Sequence, residues 1–180
     1  NAAPPPWQAR RVSSGCPAVD FSASPRTGER PLTVQFADQS GGSAVSRLWD
    51  FGDGDTSTQA NPQHTYNTAE AFTVTLTVTG TTTTNSRTRS AYVVVTDPPP
   101  EADFTASPTS GVRPLMVAFT DTSTGLVDTW LWDFGDGITS TLANPEHTYT
   151  AAGAYTVTLQ VSGPGGSDET EKGEWVTVYE

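Results

Sequence analysis

Apolar residues recur at every second position in several short stretches of this chain. Phe72, Val74, Leu76 and Val78 alternate with Thr73, Thr75, Thr77 and Thr79, and a period of two with β-branched polar partners predicts a strand with one face buried. Tyr155, Val157, Leu159 and Val161 repeat the pattern. Leu32, Val34 and Phe36 keep the same rhythm, as do Leu115, Val117 and Phe119, and the pairs Val93/Val95 and Val176/Val178. No stretch has a helical period. Turn-forming residues punctuate the strands at Pro25 and Gly28, Gly41-Gly42, Gly52 to Gly54, Asn61-Pro62 and Gly163 to Gly166. Short alternating strands at this spacing predict an all-β chain built of antiparallel β-sandwiches.

The strands come in two sets. Trp49 and Trp132, Asp53 and Asp136, His64 and His147, and Tyr66 and Tyr149 are all separated by 83 residues, an offset that holds without a gap from Asp20/Asp103 to Asp97/Glu180. About half of the paired positions are identical, which predicts two domains of one kind in tandem. The expected organisation is an arm over 1–17, a first domain over 18–97, a proline linker over 98–101 and a second domain over 102–180. In the linker, Pro98 to Pro100 favour extended polyproline II and predict a short, semi-rigid spacer that makes a rod of the two sandwiches. Pro4 to Pro6 lie outside the repeat. A proline-rich arm has no core of its own, so ordering it requires a contact, with its own first domain or with the sheet edge of a neighbouring subunit.

Charge changes the picture of partners. Nine basic against twenty acidic residues give a formal net charge of −11, which argues against binding to the phosphate backbone of nucleic acid. No apolar run approaches the ~18 residues that cross a membrane as a helix, and the first residues lack the regions of a signal peptide; a secreted form would already be processed. Cys16 is the single cysteine, so it is either an unreactive thiol or the site of a bond to another chain. No Asn-x-Ser/Thr sequon occurs, whereas Thr81 to Thr84 would accept O-linked sugars.

The longest shared motif is Trp49-Asp50-Phe51-Gly52-Asp53-Gly54, repeated as Trp132-Asp133-Phe134-Gly135-Asp136-Gly137. Read as a strand entering a tight turn, it sends Trp49 and Phe51 into a core, gives Gly52 and Gly54 backbone angles closed to other residues, and lets Asp50 and Asp53 accept hydrogen bonds from turn amides. A second reading is a calcium loop, because Asp50, Asp53 and Asp55 are closely spaced oxygen donors. Ile138 in place of Asp55 speaks against a metal site common to both copies. His64 and His147 each follow an Asn by three residues and precede Tyr66 or Tyr149 by two, which places the ring where it can hydrogen-bond to the turn. One His per repeat, with no second His or Cys at ligand spacing, does not make a zinc site of the familiar kinds, and no Gly-x-Ser-x-Gly elbow supports a serine hydrolase.

These hexamers, each followed by Thr-Ser-Thr, Ala-Asn-Pro, His-Thr-Tyr and an alternating strand, closely resemble the polycystic kidney disease (PKD) domain. The resemblance covers all but about the first seventeen residues. It implies an immunoglobulin-like β-sandwich found mostly outside cells, in surface-layer and adhesive proteins and appended to secreted proteases and chitinases. It implies neither catalysis nor a cofactor, although some members of the family bind calcium elsewhere.

The copies differ most in charge. Residues 1 to 97 carry seven basic and eight acidic side chains, whereas 98 to 180 carry two and twelve. Arg87 and Arg89 stand in the late hairpin of the first copy; Asp168, Glu169, Glu171 and Glu174 stand in that of the second. Arg10 and Arg11 add positive charge to the arm beside Trp7. Opposite surfaces at opposite ends favour head-to-tail contact between identical chains. Trp130 takes the place of Arg47, and alternation with Val176 and Val178 sends Trp175 and Tyr179 outward as anchors for a protein or a sugar ring. Two functions are therefore expected of an extracellular, non-catalytic chain. One is a structural or adhesive subunit of a filament or layer, associating with itself or with other surface proteins. The other is an accessory module of a secreted hydrolase that binds collagen, chitin or another polysaccharide.

Overall fold

In the computed structural model, which describes residues 18–180, the chain falls into two compact units that meet between Val95 and Thr96. The first begins with β1 (Phe21–Ser24), β2 (Thr27–Glu29), β3 (Leu32–Asp38) and β4 (Ser46–Asp50), and continues through β5 (Thr56–Ser57), β6 (Gln63–Tyr66), β7 (Ala71–Thr79) and β8 (Thr84–Thr96). Its sheets are β1-β3-β6 and β2-β8-β7-β4-β5. The second unit repeats the series as β9 (Phe104–Ser107), β10 (Ser110–Val112), β11 (Leu115–Asp121), β12 (Thr129–Asp133), β13 (Thr139–Ser140), β14 (Glu146–Tyr149), β15 (Gly153–Gly163) and β16 (Gly166–Tyr179). Its sheets are β14-β11-β9 and β10-β16-β15-β12-β13. Each unit is a β-sandwich, and no helix occurs among the described residues.

The alternation read from the sequence is the alternation seen. Along β7, Phe72, Val74, Leu76 and Val78 are buried and the intervening threonines face away. The first core gathers these with Phe21, Val34, Phe36, Trp49, Phe51, Tyr66 and Val93; the second gathers the matching residues around Trp132. Burying a large aromatic or aliphatic side chain contributes about 1.5–3 kcal/mol, so these side chains are a main stabilising contribution in each unit.

Three features depart from simple antiparallel alternation. First, the opening strand changes sheets: β9 pairs antiparallel with β11, but β10 runs parallel to β16, with Ser110 opposite Thr177 and Val112 opposite Tyr179. Second, a bulge interrupts the β7–β8 hairpin, where Val74 faces Arg89 but Phe72 faces Val93, and another interrupts β15–β16, where Val157 faces Lys172 but Tyr155 faces Val176. Ala91 and Glu174 take positive φ values of 47° and 49° inside these bulges, a conformation uncommon for residues other than glycine.

Third, the proline run is built into the second unit. Pro100 is buried, and Glu101 and Thr124 exchange backbone hydrogen bonds of 3.0 and 2.9 Å. The Gly163–Gly166 turn lies so close that a Cβ on Gly165 would stand 2.0 Å from the Pro98 carbonyl oxygen, and one on Gly163 would stand 1.8 Å from that of Leu126. Only glycine admits this approach.

Candidate functional site

Between β4 and β5, Trp49 to Gly54 turn a corner that the rest of the first unit packs around. Trp49 is fully buried, and its indole N–H donates to the Gln59 carbonyl at 2.9 Å. Asp50 Oδ1 accepts the Gly52 amide at 2.9 Å, and Asp53 Oδ1 accepts the Asp55 amide at 3.1 Å. Short carboxylates thus satisfy amides that the tight turn would otherwise leave unpaired. Gly52 has φ +86°, and a Cβ there would lie 2.4 Å from the Thr73 carbonyl oxygen, so both handedness and crowding require glycine.

The histidine locks onto this corner. His64 Nε2 and Asp53 Oδ2 lie 2.6 Å apart. Its ring stacks on Phe51 at 4.2 Å with planes 3° apart and meets Tyr66 edge-on at 4.6 Å. The Tyr66 hydroxyl donates to the Phe51 carbonyl at 3.1 Å. Burial, aided by nearby Asp53 and Asp50, pushes the Tyr66 phenol well above its ordinary value, and burial with Asp136 does the same for Tyr149.

The second copy reproduces each contact. Asp133 takes the Gly135 amide at 2.9 Å, Asp136 takes the Ile138 amide at 3.1 Å, and His147 lies 2.7 Å from Asp136. Tyr149 donates to Phe134 at 3.0 Å and Trp132 to Leu142 at 2.8 Å. His147 again stacks on Phe134 at 4.3 Å. Gly54 and Gly137 share positive φ values of 100° and 86°. The His–Asp contact itself is not evident from either residue alone; its signal is an 11-residue separation present in both copies.

The interaction candidates have mixed placements. Trp7, Arg10, Arg11 and Cys16, with the rest of the arm, lie outside the described residues. Trp130 packs against the second core, and its indole N–H donates to Asp121 Oδ2 at 2.6 Å. At the matching position Arg47 donates to Asp38. Trp175 falls in the β16 bulge and is exposed, at 37%, with Phe104 edge-on at 6.5 Å and Lys172 over its ring at 4.8 Å. Tyr179, at 56%, is exposed as well, beside exposed Val112.

Register also revises the charge comparison. Arg87 faces Leu76 and Arg89 faces Val74, on the inner side of the sheet, and their counterparts opposite Leu159 and Val157 are Thr170 and Lys172. The Arg89 guanidinium reaches Asp20 at 2.8 Å and covers the Phe21 and Tyr92 rings. Lys172 likewise reaches Asp103 at 2.8 Å and covers Phe104. Glu169 and Glu171 instead face Gln160 and Thr158 on the outer side.

The outer faces of the two five-stranded sheets are therefore the surfaces that differ. In the first unit Leu48 and Asp50 stand beside Thr75, Thr77 and Thr79, which face Thr88, Ser86 and Thr84. In the second, Leu131, Asp133, Thr158, Gln160 and Glu169 line a shallow depression of about 310 Å³. Both faces keep an exposed leucine and an aspartate, but Thr77, Ser86 and Thr88 of the first are replaced by Gln160, Glu169 and Glu171 in the second.

Comparison with known proteins places both corners in context. A family model described as PKD domain matches residues 15–95 and again 96–178. The chain is 38% identical over 72 residues to a microbial collagenase of Vibrio alginolyticus and 47% identical over 53 residues to collagenase ColA of Bacillus cereus. These matches cover 38% and 29% of the chain but only 9% and 6% of the two relatives. Among solved structures, the PKD1 domain of the Vibrio cholerae metalloprotease PrtV is 38% identical, covering 45% of this chain and 98% of that one with a TM-score of 0.38. An amphioxus IgVJ-C2 molecule is 13% identical, covers 84% of this chain and 99% of its own, and has a TM-score of 0.50, a likeness of fold.

Proposed function

Because the chain belongs to the PKD-domain family, carrying two members in tandem, we propose that it is a non-catalytic accessory module of an extracellular protein. In this reading it attaches that protein to a polymer through the outer faces of its five-stranded sheets. One observation carries the reading. The residues common to both copies and capable of chemistry, Asp53 with His64 and Asp136 with His147, are tied into the turn that closes each sandwich. On the exposed sheet surface the copies share a leucine and differ at three surrounding positions, Thr77/Gln160, Ser86/Glu169 and Thr88/Glu171. The related segments occupy 9% or less of two collagenases and a metalloprotease, a share suited to an appended module, and collagen is accordingly the first polymer to try. Threonine and serine rows present repeated hydroxyl donors and acceptors, and exposed Leu48 and Leu131 present an apolar centre.

The test is co-sedimentation of the untagged chain with insoluble collagen, chitin and cellulose. Retention by at least one polymer, weakened by Leu48→Asp or Leu131→Asp, is the expected result. A chain that stays in the supernatant with all three would refute the proposal.

The charge asymmetry favours a second reading, head-to-tail association in which Arg10 and Arg11 meet the acidic second unit of another copy. Light scattering distinguishes it: assembly that weakens with salt and disappears on deleting 1–17 is expected, and a monomer at every salt concentration would exclude it.

A further inference from the structure

At the corner of the first unit, Asp53, Asp55 and His64 each bring a ligating atom to within 4.8 Å of the others. We infer that this corner is a binding site for a first-row divalent transition ion of the zinc type, present in the first unit and missing from the second. The imidazole is already aimed. Flat stacking on Phe51 and the edge contact with Tyr66 fix the plane of His64, whose side chain is only 10% exposed, so that Nε2 points at the carboxylates. Asp53 uses Oδ1 for the turn amide, and Oδ2 is the oxygen that meets Nε2. An ion would replace the proton shared between Nε2 and Oδ2 without dismantling the turn.

The second unit supplies an internal control. It keeps the same turn and the same His–Asp contact with Ile138 where Asp55 stands in the first. Neither the fold of the corner nor the orientation of the imidazole requires a carboxylate at that position. Asp55 therefore adds a third ligand to an arrangement that is structurally complete without it.

Donor chemistry selects the ion. One imidazole and two carboxylates, with remaining positions open to water, suit zinc and its neighbours, which bind nitrogen and oxygen at about 2.0–2.2 Å. Calcium and magnesium prefer all-oxygen shells of six or more ligands. Closing around zinc requires the carboxylate of exposed Asp55 to swing inward, a rotamer change available to a surface side chain.

Only two histidines occur in the chain, which makes the test direct. Zinc is titrated into the full, untagged chain while the ring resonances of both imidazoles are followed by NMR, with calcium and magnesium as comparisons. The expected result is a saturable shift of His64 with His147 unmoved, no response to calcium or magnesium, loss of the shift in Asp55→Ile, and a new response of His147 in Ile138→Asp. Equal movement of both rings, movement of neither, or a His64 response that survives Asp55→Ile would overturn the site. Asp55→Ile reproduces a residue that the second unit tolerates, so a folded variant is expected, and its unchanged amide spectrum would show that loss of binding is not loss of structure.

Discussion

The two domains secure the same loop with different chemistry. Asp38 accepts the Ser40 amide and is met by the Arg47 guanidinium; Asp121 accepts the Ser123 amide and is met by the Trp130 indole. A cation in one copy is a neutral aromatic in the other. What the loop requires is a donor reaching the carboxylate from the fourth strand of each sandwich, and charge is incidental. The inner side of the larger sheet follows the same logic, because Arg89 and Lys172 each bridge to the aspartate before the first strand and cover an adjacent phenylalanine. The outer faces keep the leucine and the aspartate that holds the turn, and diverge from hydroxyl to carboxylate at Ser86/Glu169 and Thr88/Glu171.

The sharpest way to break the comparison is to attack what the copies share. Trp49→Ala and Trp132→Ala each remove a fully buried indole and its hydrogen bond to the loop carbonyl, so each domain should lose about 3–5 kcal/mol. Denaturant unfolding followed through the amide resonances of each domain should show equal losses, each confined to the mutated domain. Unequal losses would mean that the corners are not equivalent.

A smaller effect is expected at the phenols. Tyr66→Phe and Tyr149→Phe leave the carbonyls of Phe51 and Phe134 without their donor, at about 1–3 kcal/mol. These phenols titrate above their ordinary value of 10 because burial disfavours the anion. The native state therefore holds its protons after the unfolded chain has released them, and stability is full below pH 10 and falls as pH rises beyond it. Thermal melts between pH 8 and 12 should show this alkaline decline in the parent and a shallower one in the double variant.

The smallest effect sharpens the donor argument. Exchanging Arg47→Trp and Trp130→Arg should change stability by no more than about 1 kcal/mol, because each replacement still offers a donor to its carboxylate. Arg47→Leu and Trp130→Leu should each cost more. At Asp38 burial pushes the carboxyl upward, but hydrogen bonds from Ser40 and Arg47 outweigh it and hold it below the ordinary value. Hydrogen bonds from Arg89 and Lys172, then from the following amides, lower Asp20 and Asp103. Depressed folded values give stability that is present above pH 3.8 and lost as pH falls through them. Acid melts of Arg89→Leu should accordingly show a flatter limb in the first domain alone.

Much of the fold was legible in the sequence because burial on one face imposes a period of two, and Phe72 to Val78 display it without interruption. The corner was legible for a related reason: two glycines flanking an aspartate, between aromatic residues, have few structural uses. The bulges were not. Each sets three residues, such as Ser90 to Tyr92, against one, such as Thr73, and two extra residues leave the alternation in phase on both sides. Trp175 is exposed as the alternation with Val176 and Val178 predicts, because the bulge keeps parity, but its contacts with Phe104 and Lys172 come from the bulge and were not legible. Contrast in the late hairpin was misread because charge was compared by region, whereas faces are set residue by residue: Lys172, not a carboxylate, stands where Arg89 does. The parallel β10–β16 pairing spans three residues on β10, too few for any period to show.

The glycine-lined hairpin tip of the second unit has a consequence for how such modules are cut and copied. With Pro100 buried and the Pro98 carbonyl lying where a Gly165 side chain would stand, the residues that look like string between beads are mortised into the bead that follows. A gene fragment or cloning boundary drawn at the first strand, Phe104, would leave a trench under the tip. The transferable piece carries its own prolines in front of it.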